Sequence, residues 1–233
     1  MRGVKRSEIE AAIDTAVALA ADHGYALPPL ASWTRDEWIE RAGGLAVAIE
    51  RGLGWDVTDF GRGDFPRIGL TLLTVRNGTL AEQSAGLGQT YAEKVMAVGI
   101  GQETPFHLHR RKTEDIVNRG GGDLVVELVH PDERTTPVRA LVDGLPRTIA
   151  PGERLRLVPG EGVQVPRGVR HRFWAEGAPV LAGEVSSVND DAGDNEFLVE
   201  APRYPRIEED EPARRLLVGE YATVLGGGSG TAR

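Results

Sequence analysis

The chain contains no cysteine, which excludes a disulfide scaffold, a thiol nucleophile and any thiolate metal site. No apolar run approaches the roughly 20 residues that a bilayer-spanning helix needs. The opening MRGVKRSEIE is charged and lacks the apolar stretch of a secretory leader. Positive charge is also scarce. The 27 Lys and Arg are outnumbered by 35 Asp and Glu, for a formal net charge of -8, which argues against duplex nucleic acid as a partner because that binding relies on basic patches. The 233 residues, 40% apolar and 27% charged, are ordinary for a soluble globular protein and suffice for one generous domain with helical additions. These constraints lead to the expectation of a cytoplasmic protein that handles small molecules, without nucleic-acid or membrane partners.

Residues 1–66 read as a helical extension. Ser7 followed by Glu10 has the capping-box pattern, and Ile9, Ile13, Ala16, Val17 and Ala20 recur at helical spacing up to Gly24, a favoured C-terminal stop. A second capping box, Thr34 with Glu37, opens a short helix containing Trp38, and the glycine-punctuated segment 52–61 reads as an irregular cover or contact surface. From residue 67 to 221 the rhythm changes. Strands are predicted over 69–75, 91–98, 124–129, 136–142, 154–157, 162–165, 171–175 and 180–188, separated by turn signals such as Asn77-Gly78, Asp143-Gly144 and Arg167-Gly168. Many short, evenly spaced strands predict a mainly β protein, a barrel or double-sheet jelly roll. The glycine-rich segment 222–233 reads as a flexible tail.

Among five histidines, His107 and His109 stand two apart, so a strand would project both to one face. Glu114 could add an oxygen after a short turn, and His171 a third nitrogen from a later strand. Three neutral imidazoles and a carboxylate suit a borderline divalent ion, with Mn²⁺, Fe²⁺, Co²⁺, Ni²⁺ and Zn²⁺ all compatible. An octahedral ion held this way keeps two positions for neighbouring oxygens of one substrate. The spacing is more demanding than an isolated His-x-His. Gly101-x5-His107-x-His109-x4-Glu114-x6-Gly121 is followed by Gly160-x5-Pro166-x-Gly168-x2-His171, and the two stretches resemble the paired signature motifs of the cupin superfamily. One departure is Ala175 in place of the terminal asparagine, which is not a ligand position.

Further stretches carry a narrower resemblance. Leu53-Gly-Trp-Asp-Val-Thr58, Tyr91-Ala-Glu-Lys94, Arg111-Lys-Thr-Glu-Asp-Ile116, Asn118-Arg-Gly-Gly-Gly122, Phe173-Trp-Ala-Glu176, Gly183-Glu-Val-Ser-Ser-Val-Asn-Asp-Asp191 and Glu209-Asp-Glu-Pro-Ala213 are similar to the D-lyxose isomerase family of cupins, over about residues 5 to 221. The resemblance implies a cupin β-barrel and a ketol-isomerase converting D-lyxose to D-xylulose, often with D-mannose to D-fructose as a second reaction. It also implies Mn²⁺ as the usual ion and a homodimer. Composition and spacing alone imply none of these identities.

Isomerisation needs a proton shuttle near the ion that is not itself a ligand. Glu184 is the leading base, because it lies in an apolar run in phase with Ala182, Ser186 and Val188, where a carboxylate is costly without a partner or a task. Lys94, beside Glu93 on a predicted strand, is expected to polarise a substrate oxygen or relay a proton. Lys112, between two ligand candidates, is read as substrate-binding if the turn aims it inward. Asp194, in the polar stretch 189–196, and Trp174, after the His171 strand, are further substrate-binding candidates. Trp33, Trp38 and Trp55 are read as packing or dimer contacts, and His23 and His130 as surface residues. Two rival functions fit the same ligands: an Fe²⁺-dependent cupin dioxygenase and a non-catalytic sugar-binding cupin.

Overall fold

In a computed structural model of the protein, residues 3–131, 135–190, 193–202 and 206–225 are described. A short strand β1 (Val4–Lys5) leads into helices α1 (Arg6–Asp22), α2 (Arg35–Arg41) and α3 (Ala46–Glu50). Strands β2 (Gly54–Thr58) and β3 (Leu70–Arg76) precede helix α4 (Leu80–Ala85). The remainder comprises β4 (Tyr91–Val98), β5 (Thr104–His109), β6 (Glu114–Val129), β7 (Val138–Val142), β8 (Leu145–Ile149), β9 (Arg154–Leu157), β10 (Gly162–Val165), β11 (Arg170–Ser187), β12 (Asn195–Phe197), β13 (Ile207–Glu208) and helix α5 (Tyr221–Val224).

Two long strands organise the jelly roll. β11 and β6 lie antiparallel over nearly their whole lengths, with irregularities between Glu176 and Val180 where both bend. Their two halves take different neighbours. Beyond the bend β11 pairs with β4, which extends the sheet through β3 to β2. Before it, β11 pairs with β5, and β5 with β12. The predicted separate strands 171–175 and 180–188 are therefore one bent strand, and 124–129 is the second half of β6. No helix among the described residues is long and apolar enough to cross a membrane.

Alternation along the strands sorts the side chains. Leu72, Met96 and Ala182 face into the barrel, either in its core or packed against it, whereas Leu73, Val95 and Leu181 face outward under Ile9, Ile13, Ala16 and Ala20 of α1. Covered on both sides, β2 is buried throughout. This corrects the irregular reading of segment 52–61. Trp55 and Val57 pack toward α1, while Asp56 and Thr58 line the barrel cavity. Trp38 packs on Tyr221, with ring centroids 4.8 Å apart, so residues 221–224, partly assigned to the tail, form a helical turn that closes this end. Residues 226–233 lie outside the described residues.

The first capping box is also corrected. Lys5 is the N-cap of α1, and its N–H donates to Glu8 Oε2 at 3.0 Å. Glu10 instead accepts from the backbone N–H groups of Arg214 and Arg215 at 2.7 and 3.0 Å. Arg6, 1% exposed, is held between Glu209 and Glu220 at 2.7 and 2.6 Å. Both side chains fasten the C-terminal segment to α1 instead of capping it. The Thr34–Glu37 box forms as expected.

The bend between β6 and β11 depends on Gly121. Its φ is +109°, and a Cβ there would lie 2.0 Å from the Pro179 carbonyl oxygen. Gly121→Ala is expected to cost about 3 kcal/mol and to lower Tm by about 10 °C, through backbone strain added to overlap. A variant melting within about 2 °C of the parent would refute this account of the bend.

Candidate metal centre

His107 and His109 lie on β5, and His107 is paired across the ladder with His171 on β11. Glu114 opens β6 after the turn 110–113. That turn is fastened by Asp194, whose carboxylate accepts from the N–H groups of Arg111 and Lys112 at 2.8 and 3.0 Å. The two glycine-bearing motifs are joined where the Gly168 N–H donates to the His109 carbonyl at 2.8 Å. Gly168, at φ +76°, turns the chain for that contact.

The four side chains are buried, and their donor atoms all lie within 4.8 Å of one another. Two donors about 2.1 Å from a shared ion can be at most about 4.2 Å apart, so a small contraction would let these four side chains hold one. His171 Nε2 is 2.8 Å and His109 Nε2 3.4 Å from the two carboxylate oxygens of Glu114. The His107 Nδ1–H donates to the Pro105 carbonyl at 2.9 Å, which leaves Nε2 as the ligating nitrogen, a backbone partner typical of metal-bound histidine. Among the described residues, Nδ1 of His109 and Oε1 of Glu114 are buried without a hydrogen bond. Four buried donors gathered this closely, with an oxygen of Glu114 left unsatisfied, are what a cation would satisfy, so the residues fit a divalent ion.

Electrostatics favours the ligand forms. Burial, then the neighbouring His171 and His109, push the His107 imidazole well below its usual range, and burial lowers that of His109. Burial would raise the Glu114 carboxyl, but Lys112, His109 and His171 outweigh it and hold it well below the ordinary range. The centre therefore presents neutral His107 and His109 imidazoles and an ionised Glu114 carboxylate at neutral pH.

A second charged group adjoins it. Lys112 Nζ lies 2.6 Å from Glu184 Oε1 and 2.8 Å from Glu114 Oε2. Lys94, opposite Glu184 on β4, places Nζ 3.6 Å from the same Glu184 oxygen and 2.7 Å from Asn189 Oδ1. Burial opposes the charge on Glu184, yet Lys112 and then Lys94 lower its pKa. Glu184, Lys94 and Lys112 share one cavity of about 180 Å³ with the four candidate ligands. Its remaining wall is largely apolar and includes Phe60, Leu72, Met96, Phe173 and Phe197, the last stacked on His107 at 5.4 Å.

Two candidates sit elsewhere. Trp174 does not line this cavity. Strand alternation turns Phe173 inward and Trp174 outward, where its Nε1–H donates to Glu176 at 3.0 Å and the Arg154 and Arg172 guanidinium groups lie 5.4 Å from its ring. Asp194 is buried but spends its carboxylate on the turn backbone, which makes it a support for Lys112 instead of a cavity-lining group. Ala175, at the departed asparagine position, lies in the apolar core. Sequence reasoning missed Asp56, Thr58, Thr104 and Asn195 in the cavity wall. The Trp-Asp-Val-Thr alternation was the available signal for the first two.

A bent jelly roll with three histidines and a glutamate converging in its interior defines a cupin with a metal-type centre. Within that class the chain belongs to the D-lyxose isomerase family, whose model matches residues 4–221. It is 45% identical over 226 residues to a D-lyxose/D-mannose isomerase of Escherichia coli O157:H7, covering 94% of this chain and 98% of that protein. It is 47% identical over 203 residues to a D-lyxose/D-mannose isomerase of Serratia proteamaculans, covering 84% and 88%. Among solved structures, the L-ribose isomerase of Cellulomonas parahominis superposes with a TM-score of 0.58 at 18% identity, covering 88% of this chain and 99% of that one, a likeness of fold.

Proposed function

We propose that the chain is a divalent-metal-dependent aldose–ketose isomerase that interconverts D-lyxose and D-xylulose and, as a second reaction, D-mannose and D-fructose. The observation that carries this reading is one small cavity holding both the His107/His109/Glu114/His171 cluster and a separate carboxylate, Glu184, gripped by two lysines. The relatives' names supply the sugars.

His107, His109, Glu114 and His171 would hold the ion, which would supply Lewis acidity to the carbonyl and adjacent hydroxyl of the open-chain sugar. Glu184, ionised beside its lysines, takes the C2 proton and returns it to C1. The O2 hydroxyl proton ends on O1, so nothing is consumed. Lys112, between Glu114 and Glu184, donates to the oxygen that gains charge as C2 is deprotonated. Lys94 holds Glu184 in place, and the aromatic and aliphatic wall keeps water from quenching the transfer. Mn²⁺ as the resident ion and a homodimer, both resting on the family resemblance, and a cytoplasmic location, resting on the composition, complete the proposal.

The deciding experiment assays aldopentoses and aldohexoses for ketose formation before chelation, after chelation and after Mn²⁺ is restored. D-lyxose and D-mannose are expected to lead, with activity lost to chelator and recovered with Mn²⁺. Ketose formed from no sugar would overturn the proposal, and oxygen uptake by the Fe²⁺-loaded chain would favour the dioxygenase alternative.

A further inference from the structure

Thr104 is 2% exposed, lines the cavity, and its Oγ1 is buried without a hydrogen-bond partner among the described residues. A serviceable buried hydroxyl normally finds a partner, because leaving one unmade is costly. Its direction is also unusual. Thr104 and His107 are three residues apart, a spacing that sends side chains to opposite faces of a regular strand. Both nevertheless face the cavity. The ladder explains this: His171 pairs with His107 and Phe173 with Thr104, so three residues of advance on β5 match two on β11. Such a bulge re-aims a side chain and is over-represented beside active sites.

The position suits the far end of a bound sugar. Thr104 lies about 10 Å along the strand from His107, away from the candidate ligands. The Gly69 N–H donates to the Glu103 carbonyl at 3.1 Å, which brings the start of β3 against Thr104. Leu70 of β3 pairs with Thr58, and Asp56 follows two residues along β2. Asp56 and Thr58 line the same cavity. Oxygen functions from three residues thus interrupt a wall that is otherwise mostly apolar, with Thr104 paired to β11 at Phe173, eleven residues before Glu184.

We propose that Thr104, together with Asp56 and Thr58, binds the distal hydroxyl groups of the open-chain sugar, those beyond the two carbons that react, and so sets which aldoses are accepted. The inference rests on the isomerase reading and goes beyond it by naming the residues that read the substrate's far end.

The test uses Thr104→Val in the metal-loaded enzyme, with D-lyxose and its 4-deoxy and 5-deoxy analogues, alongside thermal unfolding. A hydrogen bond made only to substrate predicts that KM for D-lyxose rises about three- to tenfold with kcat little changed. The effect should vanish for the analogue that lacks the contacted hydroxyl. Tm should hold or rise, because an unmatched buried hydroxyl has been removed. Asp56→Asn supplies a second reading and is expected to raise KM about tenfold through loss of a charge-assisted bond. Unchanged KM in Thr104→Val, or an equal loss with every analogue, would overturn the inference while leaving the isomerase reading intact. A wild-type enzyme that turns over none of the aldoses would remove both.

Discussion

His171→Ala is expected to abolish stable binding of the divalent ion and to lower isomerisation by at least about a thousandfold, the scale of several kcal/mol of Lewis-acid stabilisation. His171 is the one candidate ligand drawn from the second motif, and its Nε2 lies 2.8 Å from Glu114 Oε1. Without it, the donors from the first motif remain on one side of the cavity, and Glu114 keeps Lys112 at 2.8 Å as its cationic partner. The measurements are metal content after dialysis, titration calorimetry with Mn²⁺, and ketose formation from D-lyxose. Because His171 is fully buried, circular dichroism must accompany them, and His171→Gln provides a variant that leaves less empty space. A folded variant that retains the ion and wild-type turnover would show that the cluster is not the working centre.

Glu184→Gln is expected to separate binding from chemistry. The amide keeps the shape but cannot take a proton, so metal content should persist while kcat falls by about 10² to 10⁴, the usual worth of a general base. Exchange of the C2 hydrogen of D-lyxose with deuterated water, followed by NMR, should fall in step with turnover. Exchange at the wild-type rate would place the base elsewhere. The sign of the pH effect follows from the surroundings. Lys112 and Lys94 outweigh burial and lower the Glu184 pKa, so its ionised form adds stability above the ordinary carboxylate value. That contribution is lost as pH falls through the lowered folded value. Glu184→Gln should therefore flatten the acid limb of the stability profile and reduce stability at neutral pH, where two buried lysines lose a counter-charge.

A cavity lined by Glu114, Glu184, Lys94 and Lys112, each at most 7% exposed, is an expensive way to build a core. Apolar residues of similar volume would often be as stable or more so. Under the proposed isomerase reading the charges form a preorganised site, each carboxylate held by a lysine and each lysine fixed from a second direction. Asp194 fastens the backbone at Lys112, and Asn189 accepts from Lys94.

Much of the centre was legible before any coordinates. The two-residue spacing of His107 and His109 has one meaning in a strand, and the helical face Ile9, Ile13, Ala16 and Ala20 was readable from its period. Other features were not. Segment 52–61 looked irregular because Asp56 and Thr58 are polar residues turned inward, the reverse of the usual sorting. Trp174 and Phe173 are adjacent aromatics that only parity separates, and the 17-residue helix α1 draws Arg6 and Glu10 toward a C-terminal segment some 200 positions away. Thr104 required a bulge to bring it inward.

The amino-acid order determined the kinds of ligand, the positive-φ turns at its signature glycines and the β-rich architecture, because these depend on local geometry and short periods. The tertiary structure decided which distant groups meet: His171 with Glu114, Glu184 with Lys112 and Lys94, and Thr104 with the cavity. Those meetings depend on strand register and on where β6 and β11 bend, and a one-residue slip in either would send the same side chains to the opposite face.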